Sequence, residues 1–191
     1  MNKVRTVIFG GSFDPVHVGH LALAREVCER GLANEVWFMV SPQNPLKRGC
    51  ALSDEALRLR MVQLAVKDMP FCRACDFEFG LPRPSYTVNT LAALEESYPD
   101  REFVLLVGAD NWENFDRWYK SGEILSRYGL IVYPRGRGDV PPLPDNVRWL
   151  PARLHDVSST AIREAVAQGC SITGLVTPDV EQFIKDKGLY R

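Results

Sequence analysis

No stretch of this chain approaches the roughly 18 consecutive apolar residues that a membrane-spanning helix needs. The N-terminus runs straight into Val4-Arg5-Thr6-Val7-Ile8-Phe9 and lacks the layout of a signal peptide. The net charge is only -1 over 191 residues, so nothing in the overall electrostatics draws the protein to nucleic acid or to a membrane surface. A GxxxxGKS/T loop is missing, which removes the main support for a P-loop hydrolase. Gly10-Gly11 falls short of the three-glycine dinucleotide fingerprint, which weakens a dehydrogenase reading. Spacings that suggest a Ser-His-Asp or Cys-His nucleophile are absent, as are repeats, low-complexity tracts and a linker. Residues 1–191 therefore read as a single domain.

Cysteine is scarce and odd in number, five in all, which argues for reduced thiols and a cytoplasmic location. Cys72-Arg73-Ala74-Cys75 has CxxC spacing but lies in a strand-like run over Phe71–Phe79. Residues an odd number apart on a strand point to opposite faces, so this pair should neither chelate a metal nor form a redox couple. No second CxxC completes a zinc site, and the cysteines read as structural.

With 46% hydrophobic residues the chain can build a substantial core. Strand-like segments (4–9, 35–40, 71–79, 102–107, 128–133 and 147–150) alternate with helical ones to the end of the chain. Leu21, Ala24, Cys28 and Leu32 have helical spacing. Ser53 is expected to cap a helix with Asp54 and Glu55 in its first turn and Leu57, Met61, Leu64 and Ala65 inward. A further helix opens near Thr87 with Val88, Leu91 and Ala92 on one face. An aromatic stretch (Trp112, Phe115, Trp118, Tyr119) leads to a short helix ending near Arg127. Arg135–Asn146 reads as an exposed loop, and helices begin at Ser158-Ser159-Thr160 and at Thr177. The pattern implies an α/β fold: a Rossmann-like, doubly wound, mostly parallel sheet of about five to six strands with helices on both faces. Ligands of such sheets bind beyond the carboxyl ends of the strands. The loops at 10–20, 41–48, 80–87, 108–119 and 155–163 each follow a strand, so all five should converge on one rim.

The first of these loops holds the most concentrated signal. Gly10-Gly11-Ser12-Phe13-Asp14-Pro15-Val16-His17-Val18-Gly19-His20 joins a strand to a helix, the arrangement that holds phosphate on a helix N-terminus. His17 and His20 can face one side, Gly19 leaves the backbone open to a ligand, and Pro15 suits the first helical position. Lys47 and Arg163 add cationic groups at the same rim, and Ser158 and Ser159 can cap a second helix whose amides await an anion.

Gly10-Ser12-Phe13-Asp14-Pro15 with His17-Val18-Gly19-His20, and Val157-Ser158-Ser159-Thr160-Ala161-Ile162-Arg163, resemble the two signatures of the HxGH nucleotidylyltransferase superfamily. Pro84-Ser85-Tyr86-Thr87-Val88-Asn89-Thr90-Leu91 and Gly108-Ala109-Asp110 followed by Trp118-Tyr119 are similar to the bacterial nicotinate mononucleotide adenylyltransferases within it. The chain departs from that family at Leu46, where His is common, and at Asn89, where Asp is common. The resemblance implies transfer of the adenylyl group of ATP to nicotinate mononucleotide, with pyrophosphate leaving. Under it His17, His20, Lys47 and Arg163 are the expected catalytic groups. ATP is expected on Gly10, Gly11, Ser12, Phe13, Gly108, Asp110, Ser158 and Ser159. Nicotinate mononucleotide is expected on Tyr86, Thr87, Trp118 and Tyr119, with the ring against Trp118 and its carboxylate on the amides of Thr87 and Tyr119. Mg²⁺ is expected to come with ATP rather than on a protein metal site. The implied partners are these small molecules, with room for a homo-oligomer. Phosphopantetheine adenylyl transfer, or a nucleotide sensor with a dead site, are the competing readings.

Overall fold

Strand β1 (Val4–Gly11) occupies the middle of the sheet because its residues 6–9 are apolar or small on both faces, as a strand covered by helices requires. The computed structural model describes residues 3–42, 52–134, 143–152 and 156–191. β1 pairs in parallel with β2 (Glu35–Val40) on one side and β4 (Arg101–Gly108) on the other. β3 (Cys72–Cys75) extends the sheet beyond β2, while β5 (Gly129–Tyr133) and β6 (Val147–Trp149) extend it beyond β4. The six-stranded order is β3-β2-β1-β4-β5-β6, all parallel. This is the expected doubly wound α/β sheet, and its switch point lies between β1 and β4.

Strand alternation divides the core in two. Val7, Phe9, Phe38, Val104 and Ile131 face α1 (Val18–Glu29), α2 (Glu55–Val66), α6 (Ser159–Ala167) and α7 (Pro178–Lys187). Ile8, Trp37, Met39, Leu105 and Leu130 face α3 (Thr87–Ser97) and α5 (Ser121–Arg127). Cys72 packs against the first cluster and Cys75 belongs to the second, so the CxxC residues lie on opposite faces as their spacing requires.

Several local expectations are corrected. The third strand ends at Cys75 rather than Phe79: its pairing with β2 ends at Met39–Cys75, and a 3₁₀ turn (Phe77–Gly80) follows. Asp54, not Ser53, caps α2 by accepting from the Ala56 amide at 2.9 Å; the Ser53 amide is instead bonded to the Asp14 carboxylate. The buried stripe of α2 is Arg58, Met61, Val62, Ala65 and Val66, one position round from the expected one, and Leu57 is only half-buried. α1 starts at Val18 with His17 as its N-cap, so Pro15 lies before the helix, and Leu32 lies after its end. On α3, Leu94 rather than Ala92 completes the buried face. The aromatic stretch forms α4 (Ala109–Trp112), a 3₁₀ turn (Phe115–Arg117) and α5 where one short helix was expected.

Candidate active site

The turn after β1 is held in an unusual conformation by its surroundings. Phe13 has φ 49°, in the left-handed region that a bulky side chain avoids. Its ring is buried and makes edge contacts with Phe9 and His20 at 5.6 and 5.1 Å, and a tilted one with Phe38 at 5.4 Å, which offsets that backbone cost. Gly11 makes this packing possible, since a Cβ there would sit 2.9 Å from the Phe13 ring. At Gly10 a Cβ would meet nothing within 4 Å and would project into open space. Asp14, 1% exposed, accepts from the Tyr190 hydroxyl at 2.6 Å and from the Ser53 amide at 3.1 Å. Burial and this carboxylate push the Tyr190 phenol far above its ordinary pKa.

His17 and His20 stand together where the first helix begins. Their rings stack with centroids 3.6 Å apart and 25° between planes. His20 Nδ1 accepts from the His17 backbone N–H at 3.2 Å, which leaves the proton of a neutral His20 ring on Nε2. Gly19 serves the packing of these rings more than an open approach. A Cβ there would lie 3.2 Å from both the His17 imidazole and Val157.

Three connecting segments meet at a residue that sequence reasoning passed over. Arg58 is 1% exposed and donates to four backbone carbonyls: Ser12 at 2.7 Å, Ser41 and Ser53 at 2.8 Å, and Pro42 at 3.2 Å. Burial lowers its pKa, and Asp14 and Glu55 work against that effect. Arg58 thus ties the turn after β1 to the exit of β2 and the start of α2. The signal was a charged residue three before Met61, on the face of α2 that is buried.

α6 brings its N-terminus to the same place. Ser158 caps it through the Ala161 amide at 3.1 Å, and the amides of Ser159 and Thr160 have no acceptor within the helix. Ser159 Oγ donates to the Pro15 carbonyl at 2.9 Å. Arg163 donates to the Asp14 carbonyl at 2.8 Å and to Thr160 Oγ1 at 3.3 Å, so part of its guanidinium fixes the turn and the rest faces outward. α3 presents a third N-terminus: Tyr86 provides no side-chain cap, and the first amides, Thr87 and Val88, lie ahead of the first intrahelical acceptor. Trp118 follows the second 3₁₀ turn, packs on Phe115 with centroids 5.3 Å apart, and has a buried indole N–H with no partner among the described residues. Tyr86 and Tyr119, 38% and 50% exposed, meet at 4.7 Å on the rim.

These groups line one cavity of about 780 Å³. It is bordered by Gly10, Gly11, Ser12, Phe13, His17 and His20 from the first turn, and by Gly108 and Asp110 at the end of β4. Tyr86, Thr87, Trp118 and Tyr119 form one end, and Ser158, Ser159 and Arg163 another. Lys47 and Leu46 lie outside the described residues, as does Arg135. Ser41 and Arg117, from loops expected at this rim but not named as site residues, also border the cavity, as does Glu78, which lies outside those loops.

The family model described as cytidylyltransferase-like matches residues 8–165, from β1 through α6. The chain belongs to the cytidylyltransferase-like family. Among its relatives, a protein of Bacteroides thetaiotaomicron is 49% identical over 187 residues, covering 97% of this chain and 93% of the relative. One of Bacteroides fragilis is 50% identical over 186 residues, covering 96% and 92%. Both are named probable nicotinate-nucleotide adenylyltransferase. The nicotinic acid mononucleotide adenylyltransferase of Plasmodium falciparum, solved in complex with NaAD, superposes with a TM-score of 0.80. It is 18% identical, with 98% of this chain and 97% of that one covered. At that identity the match bears on the fold alone.

Proposed function

We propose that this protein transfers the adenylyl group of ATP to nicotinate mononucleotide, giving nicotinate adenine dinucleotide and pyrophosphate, a step of NAD biosynthesis. The observation that carries the reading is a single cavity bordered by three helix N-termini, the His17–His20 stack, Arg163 and Trp118. Two sites for anions and one for a flat ring are what an adenylyl donor and a carboxylated mononucleotide need.

The attacking group is the phosphate of the mononucleotide, largely ionised at neutral pH because its second pKa is about 6. It needs neither a strong protein base nor a protein nucleophile. The protein supplies alignment on the α-phosphorus of ATP and neutralises the charge that passes to pyrophosphate. His20 donates from Nε2 to the phosphate chain and His17 positions the α-phosphate. Arg163 and the α6 amides take the leaving phosphates, and Lys47 adds a further cation. The main chain at Gly10, Gly11 and Ser12 comes close to the nucleotide, Phe13 shapes that turn, and Gly108 and Asp110 hold ribose. The nicotinate ring lies on Trp118 beside Tyr86, with its carboxylate on the amides of Thr87 and Tyr119. Amide donors of this kind disfavour the carboxamide of nicotinamide mononucleotide, which turns N–H toward N–H.

Bound with the triphosphate, Mg²⁺ would supply charge neutralisation. No group of three or more His, Cys, Asp or Glu among the described residues is placed to hold a metal. On this reading the ion would be held mainly by phosphate oxygens and water. Among the described residues no helix is long and apolar enough to cross a membrane. The test is pyrophosphate release with ATP and Mg²⁺, offering nicotinate mononucleotide, nicotinamide mononucleotide and phosphopantetheine in parallel, with His20→Ala alongside. Turnover is expected with the first acceptor and lost in the variant. Turnover with phosphopantetheine alone would remove the acceptor assignment.

A further inference from the structure

Glu78 sits on the 3₁₀ turn after β3, 8% exposed, in the wall of the cavity. Its carboxylate accepts from Thr90 Oγ1 at 2.9 Å and is hydrogen-bonded to the side chain of Ser41. Thr90 belongs to the first turn of α3, and its hydroxyl also lies 3.4 Å from the Tyr86 carbonyl. Ser41 is a junction at the exit of β2. Its amide donates to the Gly11 carbonyl at 3.0 Å, and its own carbonyl accepts from Arg58 at 2.8 Å. A continuous path therefore runs from Gly11 through Ser41, Glu78 and Thr90 into α3, whose first amides face the acceptor end of the cavity.

We propose that Glu78 is a positioning residue that holds α3 in register with the phosphate-binding turn, so that the acceptor phosphate meets the α-phosphorus of ATP in line. This rests on the adenylyl-transfer reading above. The fold by itself does not call for an acid here. Burial raises the carboxyl above the usual carboxylate range, so ionising it in place costs stability. The groups facing it are the hydroxyls of Ser41 and Thr90 and the thiol of Cys75 on β3. An ionisable group that the fold would hold more cheaply as a hydrocarbon, placed on a substrate cavity, is what a functional constraint leaves behind.

Glu78→Leu and Glu78→Gln separate a positioning role from a structural one. The Leu variant is expected to lose about 10- to 100-fold in kcat, the range that a small misalignment costs. The affinity of ATP, measured alone by calorimetry, should stay within about twofold, because Arg58 and Arg163 still hold the turn. Its Tm at pH 7 should equal or exceed that of the wild type. A raised carboxyl contributes stability that is complete below its unfolded pKa of about 4.3 and is lost as pH rises through the folded value. The variant's advantage should therefore shrink toward pH 4. Gln, whose amide can bond both hydroxyls, should recover most of kcat. Unchanged kcat in the Leu variant, or kcat and Tm falling together, would overturn the positioning role. A wild-type enzyme that releases no pyrophosphate with nicotinate mononucleotide would overturn the underlying reading, and the coupling with it.

Discussion

Adjacent glycines in the first turn should respond to alanine in opposite ways. At Gly11 the new Cβ would sit 2.9 to 3.2 Å from three atoms of the Phe13 ring. That ring cannot swing aside, because Phe9, Phe38 and His20 surround it and its backbone is already at φ 49°. Overpacking a closed core typically costs 1–3 kcal/mol; at about 2 kcal/mol, a chain of this length loses roughly 5 °C in Tm. Because the displaced ring touches His20, ATP affinity should fall as well. At Gly10 nothing lies within 4 Å of the added methyl, and the backbone is not in the left-handed region. Gly10→Ala should leave Tm unchanged or raise it, since alanine narrows the unfolded ensemble by about 0.4–1 kcal/mol. The methyl points into the cavity, where the nucleotide is expected to approach the main chain, so ATP affinity should fall at least tenfold, about 1.4 kcal/mol. Thermal melts with and without ATP, together with calorimetric titration, read both effects. Wild-type ATP affinity in Gly10→Ala would refute close approach of the nucleotide, and an unshifted Tm in Gly11→Ala would refute the packing argument.

Arg58→Met should destabilise the protein by about 3–5 kcal/mol, because four carbonyls lose a charged donor, and Arg58→Lys should recover only part of that in urea unfolding. Trp118→Ala should raise KM for nicotinate mononucleotide more than KM for ATP, since the indole borders the cavity where the acceptor is proposed to bind; equal changes in steady-state kinetics would contradict the assignment. Burial pushes the Cys72 thiol up to about 12, so in the native protein only about one molecule in ten thousand carries its thiolate at pH 8. Peptide mapping after brief alkylation should find Cys72 and the buried Cys75 unlabelled and the exposed Cys170 modified. The sign for stability follows: thiols of the unfolded chain ionise above about pH 8.5 while Cys72 stays protonated, so this contribution is lost as pH rises toward 12.

Strand and helix alternation, the parallel sheet and the gathering of its carboxyl-end loops were legible in the chain itself. Each depends on local periodicity and on the short reach of connections, and both are written into neighbouring residues. The same holds for Ser158 as a cap and for the opposed faces of Cys72 and Cys75, since capping and strand alternation act within a few residues. Only the tertiary structure decided that Arg58 is buried, because its four acceptors come from segments up to 46 residues away. Glu78 lay within the run read as strand, between two phenylalanines. It became a cavity group when the pairing with β2 ended at Cys75 and the chain turned. Gly19 looked open to ligand by its own lack of a side chain, yet His17 and Val157 take that space, and Val157 approaches from the other end of the sequence. Periodicity records what a residue asks of its neighbours along the chain. Which distant groups satisfy a buried charge, or fill the space over a glycine, is settled only when the segments carrying them are packed together.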